Sequence, residues 1–421
     1  MNDMKENKKL ELKEKINNTF IKTVSAFANF NTGQIIFGVN DSGEILGIEN
    51  PNAACLAIEN KINDLVKPKP DFSFSINKKT NVITLTVKEG IFKPYLFKGK
   101  AYKRSDTSTV EVDQIELKRL ILSGENLYFE ELPIEDEDLS FQYLFSELKE
   151  RLAIKGCTND LLKTLGLLNV DGKYNNAAAL LSDKNEFPGI DIIKFGSTIN
   201  EIMYRNSITN VSLLEQLNCA EKIFKNYYMI EEIRGMKREK KFLVPLEAFR
   251  ETVANALVHR TWDVNSNIRI AMYDDKIEVY SPGGLPAGLN KEEYINGFVS
   301  YLRNPIIANV FFRLDIIEKF GTGIMRIKES YREIKYQPVF EVQENSIMTI
   351  LPSVTKRALL TVDEQEILDH LSGGMILASS DLSLATGFGK AKVVNLLNAL
   401  IEKQYVKKIG SGRGTKYKAN E

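Results

Sequence analysis

The segment Leu246-Glu-Ala-Phe-Arg-Glu-Thr-Val-Ala-Asn-Ala-Leu-Val-His259 constrains this chain most. Leu246, Phe249, Val253 and Leu257 recur at helical spacing, which predicts a helix with one face buried. Glu251, Asn255 and His259 stand at i, i+4 and i+8 on another face. A carboxylate and an amide one turn apart can polarise a water or hold a hard cation through oxygen. The same face can also make ordinary surface hydrogen bonds, and spacing alone favours that plainer reading.

A strand–turn–strand follows, with Ile268–Tyr273, Asp274-Asp275 and Ile277–Tyr280. Ser281-Pro-Gly283-Gly284-Leu-Pro-Ala-Gly288 then breaks it, and a second glycine loop, Gly321-Thr322-Gly323, precedes another helix. Glycines permit close backbone approach, and their exposed N–H groups can cradle phosphates. Either loop alone is a weak signal. No GxxxxGK[ST] run occurs, which excludes a P-loop nucleotide hydrolase.

Upstream, residues 10–30 read as a helix through Leu12, Ile16, Phe20, Val24 and Phe27. Strands at 34–39, 44–48, 71–77 and 81–88 and helices at 53–66 and 112–123 complete a compact α/β domain over 1–123. Residues 124–140 are acidic and contain proline, as a linker would. Residues 141–240 form a mixed connecting region, followed by domains at 241–355 and 356–421.

The chain balances 56 Lys+Arg against 56 Asp+Glu, so no uniformly basic coat exists. Its 43% hydrophobic and 27% charged content argues against a mostly disordered chain. The balance hides a local excess: residues 387–418 carry a net charge of +7. Helices at 362–371, 379–386 and 389–403 precede a glycine-rich basic hairpin, the plan of a winged helix-turn-helix. Lys390, Lys392, Lys407, Lys408, Arg413 and Lys416 would form its phosphate-backbone surface. A dimerisation unit with a solvated basic face has the same plan.

The N-terminus lacks the apolar core of a signal peptide, and no apolar run is long enough to cross a bilayer. Three scattered cysteines and two histidines suit neither a disulfide scaffold nor a zinc ribbon, so a reducing cytoplasm is expected, with no membrane partner.

The order Glu251-x-x-x-Asn255, Ser281-Pro-Gly-Gly-Leu285, Arg303-Asn-Pro305 and Glu318-Lys-Phe-Gly-Thr-Gly-Ile324 resembles the GHKL-type ATPase domain of RecG-like, AlbA-containing bacterial proteins. That resemblance implies a Bergerat-type α/β sandwich binding ATP and Mg²⁺. It implies Glu251 as general base and Asn255 as metal ligand. Ser281, Gly283 and Gly284 would meet adenine, and Gly321, Thr322 and Gly323 the phosphates. The chain departs from the family at two places: Ser281-Pro282 replaces the usual acidic residue, and Val258 replaces an Asp.

Residues 11–122 resemble the AlbA-like domain of the Schlafen type through Glu11-Leu-Lys13, Ala26-Phe-Ala-Asn29, Ile36-Phe-Gly-Val39 and Ala101-Tyr-Lys-Arg-Ser105. The resemblance implies contact with DNA or RNA. Tyr102 could stack on a base while Lys103, Arg104 and Ser105 meet phosphates. Tyr102 could also pack locally with the basic residues solvated. A nuclease site would have to come from Glu11, Glu14 and Asp41, which read more simply as helix-start and turn residues.

The expected whole is an α+β multidomain protein. It would be a nucleotide-responsive DNA-binding regulator, acting as a homodimer or higher homo-oligomer. An ATPase or metal-dependent nuclease acting on foreign nucleic acid, and a non-catalytic dimeric adaptor, are the alternatives.

Overall fold

The structure, a computed structural model, describes residues 5–135, 138–152, 156, 158–196, 198–234, 237–286, 289–296, 301–318, 321–354, 360–402, 405–410 and 412–420. It divides into two units: residues 1–136 with 167–177, and residues 137–166 with 178–421.

The first unit runs β1 (Leu10–Lys13), α1 (Phe20–Phe30), β2 (Gly33–Phe37), α2 (Pro51–Leu65), β3 (Val66–Lys67), β4 (Phe72–Asn77), β5 (Val82–Val87), β6 (Leu96–Phe97), β7 (Tyr102–Ser105), β8 (Ser108–Glu111) and α3 (Gln114–Gly124). Its main sheet has the order β1-β2-β5-β4, with β1 parallel to β2. Phe20, Val24 and Phe27 of α1 pack with Ile35, Phe37, Ile83 and Leu85 to form the core.

The expected helix over 10–30 is two elements. Residues 10–13 pair with residues 34–37 as a strand. Asn17 accepts from the backbone of Thr19 before α1 begins, the local turn chemistry that separates strand from helix. Sheet pairing overrides the helical spacing of Leu12 and Ile16.

The expected acidic linker is also partly folded. Phe129–Glu131 makes a 3-10 turn and Glu130 is buried. The Ile134 N–H donates to the Tyr174 carbonyl, and the Asn176 N–H to that of Leu132. Pairing with residues 174–176 makes most of this stretch part of the first unit. Residues 136 and 137 lie outside the described residues.

The second unit runs α4 (Gln142–Leu152), α5 (Asn159–Thr164), α6 (Asn176–Leu181), β9 (Ile190–Phe195), β10 (Ile202–Ile208), α7 (Leu213–Tyr228), β11 (Met229–Arg234), β12 (Lys237–Phe242), α8 (Leu246–His259), β13 (Ile268–Met272), β14 (Lys276–Pro282), α9 (Lys291–Asn296), α10 (Pro305–Arg313), α11 (Gly323–Ser330), β15 (Val339–Val342) and β16 (Ser346–Pro352). Helix α6 begins in the last residues of the first unit. A six-stranded sheet has the order β10-β9-β13-β14-β16-β15.

A boundary at 240/241 crosses this sheet, because β9 pairs parallel with β13 through Ile190↔Ile268 and Ile192↔Ile270. The buried Ile190 and Ile192 of β9 need that neighbour. Strand β14 runs on through Ser281 and Pro282, pairing with Ile347 and Ser346, where the sequence suggests a break. Proline is tolerated there because it ends the strand. Helix α8 lies against β14 and β16, and its Phe249 stacks on Phe224 of α7 at 4.2 Å between centroids.

The C-terminal elements are α12 (Val362–His370), β17 (Ile376–Leu377), α13 (Ser379–Thr386), α14 (Lys390–Glu402), β18 (Val406–Ile409) and β19 (Lys416–Ala419). The strands form a sheet in the order β17-β19-β18. Ile367, Leu371, Leu382, Val393, Leu397, Leu400, Val406 and Tyr417 form their shared core. Thr361 and Glu364 cap the start of α12 reciprocally.

Candidate functional site

A cavity of about 100 Å³, open to solvent, lies between α8, the sheet and α11. Its floor is apolar, from Val279, Phe340 and Ile347, with Thr349 as a buried hydroxyl among them. Glu251, Thr252, Asn255, Ala256 and His259 supply the α8 wall. Leu289, Tyr294, Tyr301, Ile317, Ile324 and Ile327 close the opposite side. A largely apolar cleft with a few convergent polar groups is the usual form of a small-molecule site.

The helix spacing of Glu251 and Asn255 brings them together as expected: the Asn255 amide donates to Glu251 Oε1 at 3.2 Å. Gly323, at the start of α11, lies against both. A Cβ at that position would overlap Glu251 Oε1 and sit 2.7 Å from Asn255 Nδ2. An alanine there would require the ends of those two side chains to move aside.

Burial pushes the Glu251 carboxyl above the usual carboxylate range, while Arg326 and the Asn255 amide oppose that shift. Arg326 is held 2.6 Å from Glu318. The His259 imidazole is pushed down to about 4 by burial, helped by Arg303, so it is neutral at pH 7. The Thr252 hydroxyl is buried and has no hydrogen-bond partner among the described residues.

Arg303 fixes the first glycine loop. Its guanidinium donates to the His259 carbonyl (3.1 Å), Thr261 Oγ1 (2.6 Å) and the Gly284 carbonyl (2.8 Å). Asn304 donates to the carbonyls of Val258 and Arg260, tying down the end of α8. Gly283 has φ 104°, and a Cβ there would strike Thr261 and Arg303. At Gly284 a Cβ would strike the Glu344 carbonyl. Packing thus already requires both glycines. Ser281 lines the cavity and donates to the Ala256 carbonyl at 3.2 Å.

Of the expected nucleotide residues, Glu251, Asn255, Ser281, Gly284, Gly321 and Gly323 line one cavity, whereas Gly283 and Thr322 do not. Sequence reasoning missed Thr252, Thr349 and the clamp role of Arg303. A threonine on the face that β16 shares between Ile347 and Leu351 is the signal that could have found Thr349.

The first unit corrects several expectations. Tyr102 is buried beside Phe97 in the core and has no free face for a base. Arg104 is buried with Glu11 at 2.6 Å and also donates to Thr109 and to the carbonyls of Asn7 and Leu10. Its guanidinium is already committed and does not await a phosphate. Lys103 pairs with Glu116 at 2.5 Å, and Ser105 is exposed.

Glu11 accepts from Thr23 and pairs with Lys13 as well, so it is a buried counter-ion. Glu14 and Asp41 are exposed, and Glu14 lies 3.6 Å from Lys15. No three His, Cys, Asp or Glu side chains converge among the described residues. Glu11, Glu14 and Asp41 therefore do not come together as a cluster.

In the C-terminal part, Lys390, Lys407, Lys408 and Lys416 are exposed. Lys392 pairs with Asp363 at 2.8 Å and lies 3.9 Å over the Phe388 ring. The Arg413 side chain lies outside the described residues.

Residues 6–113 match the family described as "Schlafen, AlbA_2". Residues 265–351 match the family described as "Putative ATP-dependent DNA helicase recG C-terminal". The second match begins after α8, so it includes Ser281, Gly284, Arg303 and Gly323 but not Glu251 or Asn255. No curated protein matches the chain. Among solved structures, the DIP2311 protein from Corynebacterium diphtheriae is 18% identical, covering 98% of this chain and 92% of that one, with a TM-score of 0.48. The N-terminal domain of an ATP-dependent DNA helicase RecG-related protein from Nitrosomonas europaea is 21% identical, covering 25% of this chain and 83% of that one, with a TM-score of 0.20. No helix among the described residues is long and apolar enough to cross a membrane. Residues 6–113 are thus similar to the Schlafen AlbA_2 domain and residues 265–351 to the RecG C-terminal domain.

Proposed function

We propose that the protein is a nucleotide-responsive DNA-binding regulator of the cytoplasm, working as a homo-oligomer. ATP with Mg²⁺ would occupy the cavity beside α8, and residues 356–421 would act as a winged helix. The observation that carries this reading is the meeting of Gly323 with Glu251 and Asn255 on the wall of an apolar cavity.

The donor set suits the ligand. The Asn255 amide oxygen is a hard ligand, the unpartnered Thr252 hydroxyl is available to a polar guest, and Gly323 leaves backbone where a side chain would intrude. When bound, Mg²⁺ would screen the phosphate charge. Val279, Ile347 and Phe340 would bury the base, and Ser281 and Thr349 would hydrogen-bond its edge. Gly323 lies against Asn255, so a ligand drawn to that amide would press on the start of α11, which carries Arg326. That helix start is the element a nucleotide would bias.

Titration with fluorescent ATP, followed by gel shifts with and without ATP, tests the reading. Binding that alters DNA affinity or oligomeric state is expected. ATP that leaves both unchanged sinks the switch.

ATP hydrolysis is the second reading, favoured by Glu251, whose carboxyl burial pushes upward, the direction that favours a general base. Glu251→Ala should lose turnover and keep nucleotide affinity. Unchanged turnover removes Glu251 from the chemistry.

A further inference from the structure

One face of α14 differs from an ordinary solvated helix face. Val393, Leu397 and Leu400 are buried in the C-terminal core. On the far side, Ala391, Val394, Asn395 and Asn398 recur at i, i+3, i+4 and i+7 and form one stripe. All four are exposed, Val394 at 38%. The stripe is uncharged, although residues 387–418 carry +7. Outward helix faces are normally charged or polar, so exposed alanine and valine beside two asparagines call for a partner.

Basic residues accompany the stripe. Lys390 and Lys392 flank its start on opposite sides of α14, and β18 and β19, which share the same core, carry the exposed Lys407, Lys408 and Lys416. Lys392 already pairs with Asp363, whereas the exposed Lys390, Lys407, Lys408 and Lys416 are open to a polyanion. The side-chain amides of Asn395 and Asn398 make no hydrogen bond to a described residue. The one acid of the helix, Glu402, is its last residue.

A neutral helix stripe accompanied by exposed lysines matches the division of labour on duplex DNA: phosphates are met by cations, base edges by neutral groups. An asparagine amide donates and accepts at once, which fits N7 and the N6 amino group of adenine. The Ala391 methyl and the Val394 isopropyl fit the thymine methyl. The stripe has no arginine to grip guanine and no carboxylate to accept from cytosine. We infer that Ala391, Val394, Asn395 and Asn398 read A·T pairs in the major groove, so that this part of the chain prefers A·T-containing duplex DNA. The inference rests on the DNA-binding reading proposed above and adds the class of sequence.

Fluorescence anisotropy of the full chain, with A·T-rich and G·C-rich duplexes of equal length, tests it. The A·T-rich duplex should bind more tightly. Replacing adenine by 7-deazaadenine removes the N7 acceptor and should abolish that preference in the unaltered protein. Asn395→Ala and Asn398→Ala should each weaken A·T-rich binding by about 5- to 100-fold and leave G·C-rich binding unchanged. Equal affinity for both duplexes overturns the inference and leaves the DNA-binding reading standing. So does a preference that survives 7-deazaadenine, or asparagine variants that weaken both duplexes alike. Absence of binding to any duplex removes the DNA-binding reading and this inference with it.

Discussion

The backbone of Gly323 rests on the carboxylate of Glu251, so the second glycine loop closes directly over the polar face of α8. Gly323 lies outside the left-handed region, so a substitution there acts only through contact with the Glu251 and Asn255 side chains. Gly323→Ala should push α11 away from α8 and cost about 1–3 kcal/mol in urea unfolding. An unchanged midpoint would mean that α11 does not close on Glu251 in solution.

Glu251 links that contact to pH. Burial raises its carboxyl in the folded state, so the folded protein keeps a proton that the unfolded chain has already released. Stability from this group is complete below the unfolded value of about 4.3 and is lost as pH rises through the raised one. Glutamine cannot ionise. Glu251→Gln should therefore match the parent in acid and gain on it progressively as pH rises. Thermal melts across pH check this; an offset that does not vary with pH would contradict it.

Arg303 bridges α8 and the first glycine loop through three acceptors. A lysine carries the charge but not the planar fork that spans them. Arg303→Lys should weaken nucleotide binding nearly as much as Arg303→Ala, with a lowered melting temperature in both. Full nucleotide affinity in the lysine variant would show that charge alone suffices.

The buried Arg104–Glu11 pair makes a different prediction from a phosphate-binding arginine. Removing one partner of a buried pair costs about 3–5 kcal/mol, because the other stays charged and poorly matched. Arg104→Ala should therefore destabilise the first unit in denaturant titration. A stable variant that only binds DNA less well would return Arg104 to the phosphate role.

Lys407 and Lys408 are exposed on β18 and should contribute through counterion release. Each alanine substitution should lower the slope of log affinity against log salt by about 1. A slope that stays constant would place the DNA elsewhere.

Much of the candidate site was legible in the sequence because its parts are local. The one-turn spacing of Glu251 and Asn255 is a property of any helix, and the observed hydrogen bond follows from it. The basic C-terminal stretch was visible because its charges gather within 387–418 of the chain. The β1 strand was not legible: Leu12 and Ile16 mimic helical spacing, and only pairing with β2 makes residues 10–13 a strand. Tyr102 and Arg104 looked like nucleic-acid ligands because residue type reports capability and not exposure.

Residue order therefore settled which segments are amphipathic, where glycine loops interrupt them and where charge gathers. Those features depend on neighbours along the chain. Packing settled which polar groups remain available. Glu11 absorbs Arg104, Asp363 engages Lys392, and Gly323 closes on Glu251. Each pairing joins residues distant in sequence, and the gain from pairing a buried charge or filling a contact exists only once the fold brings the partners together.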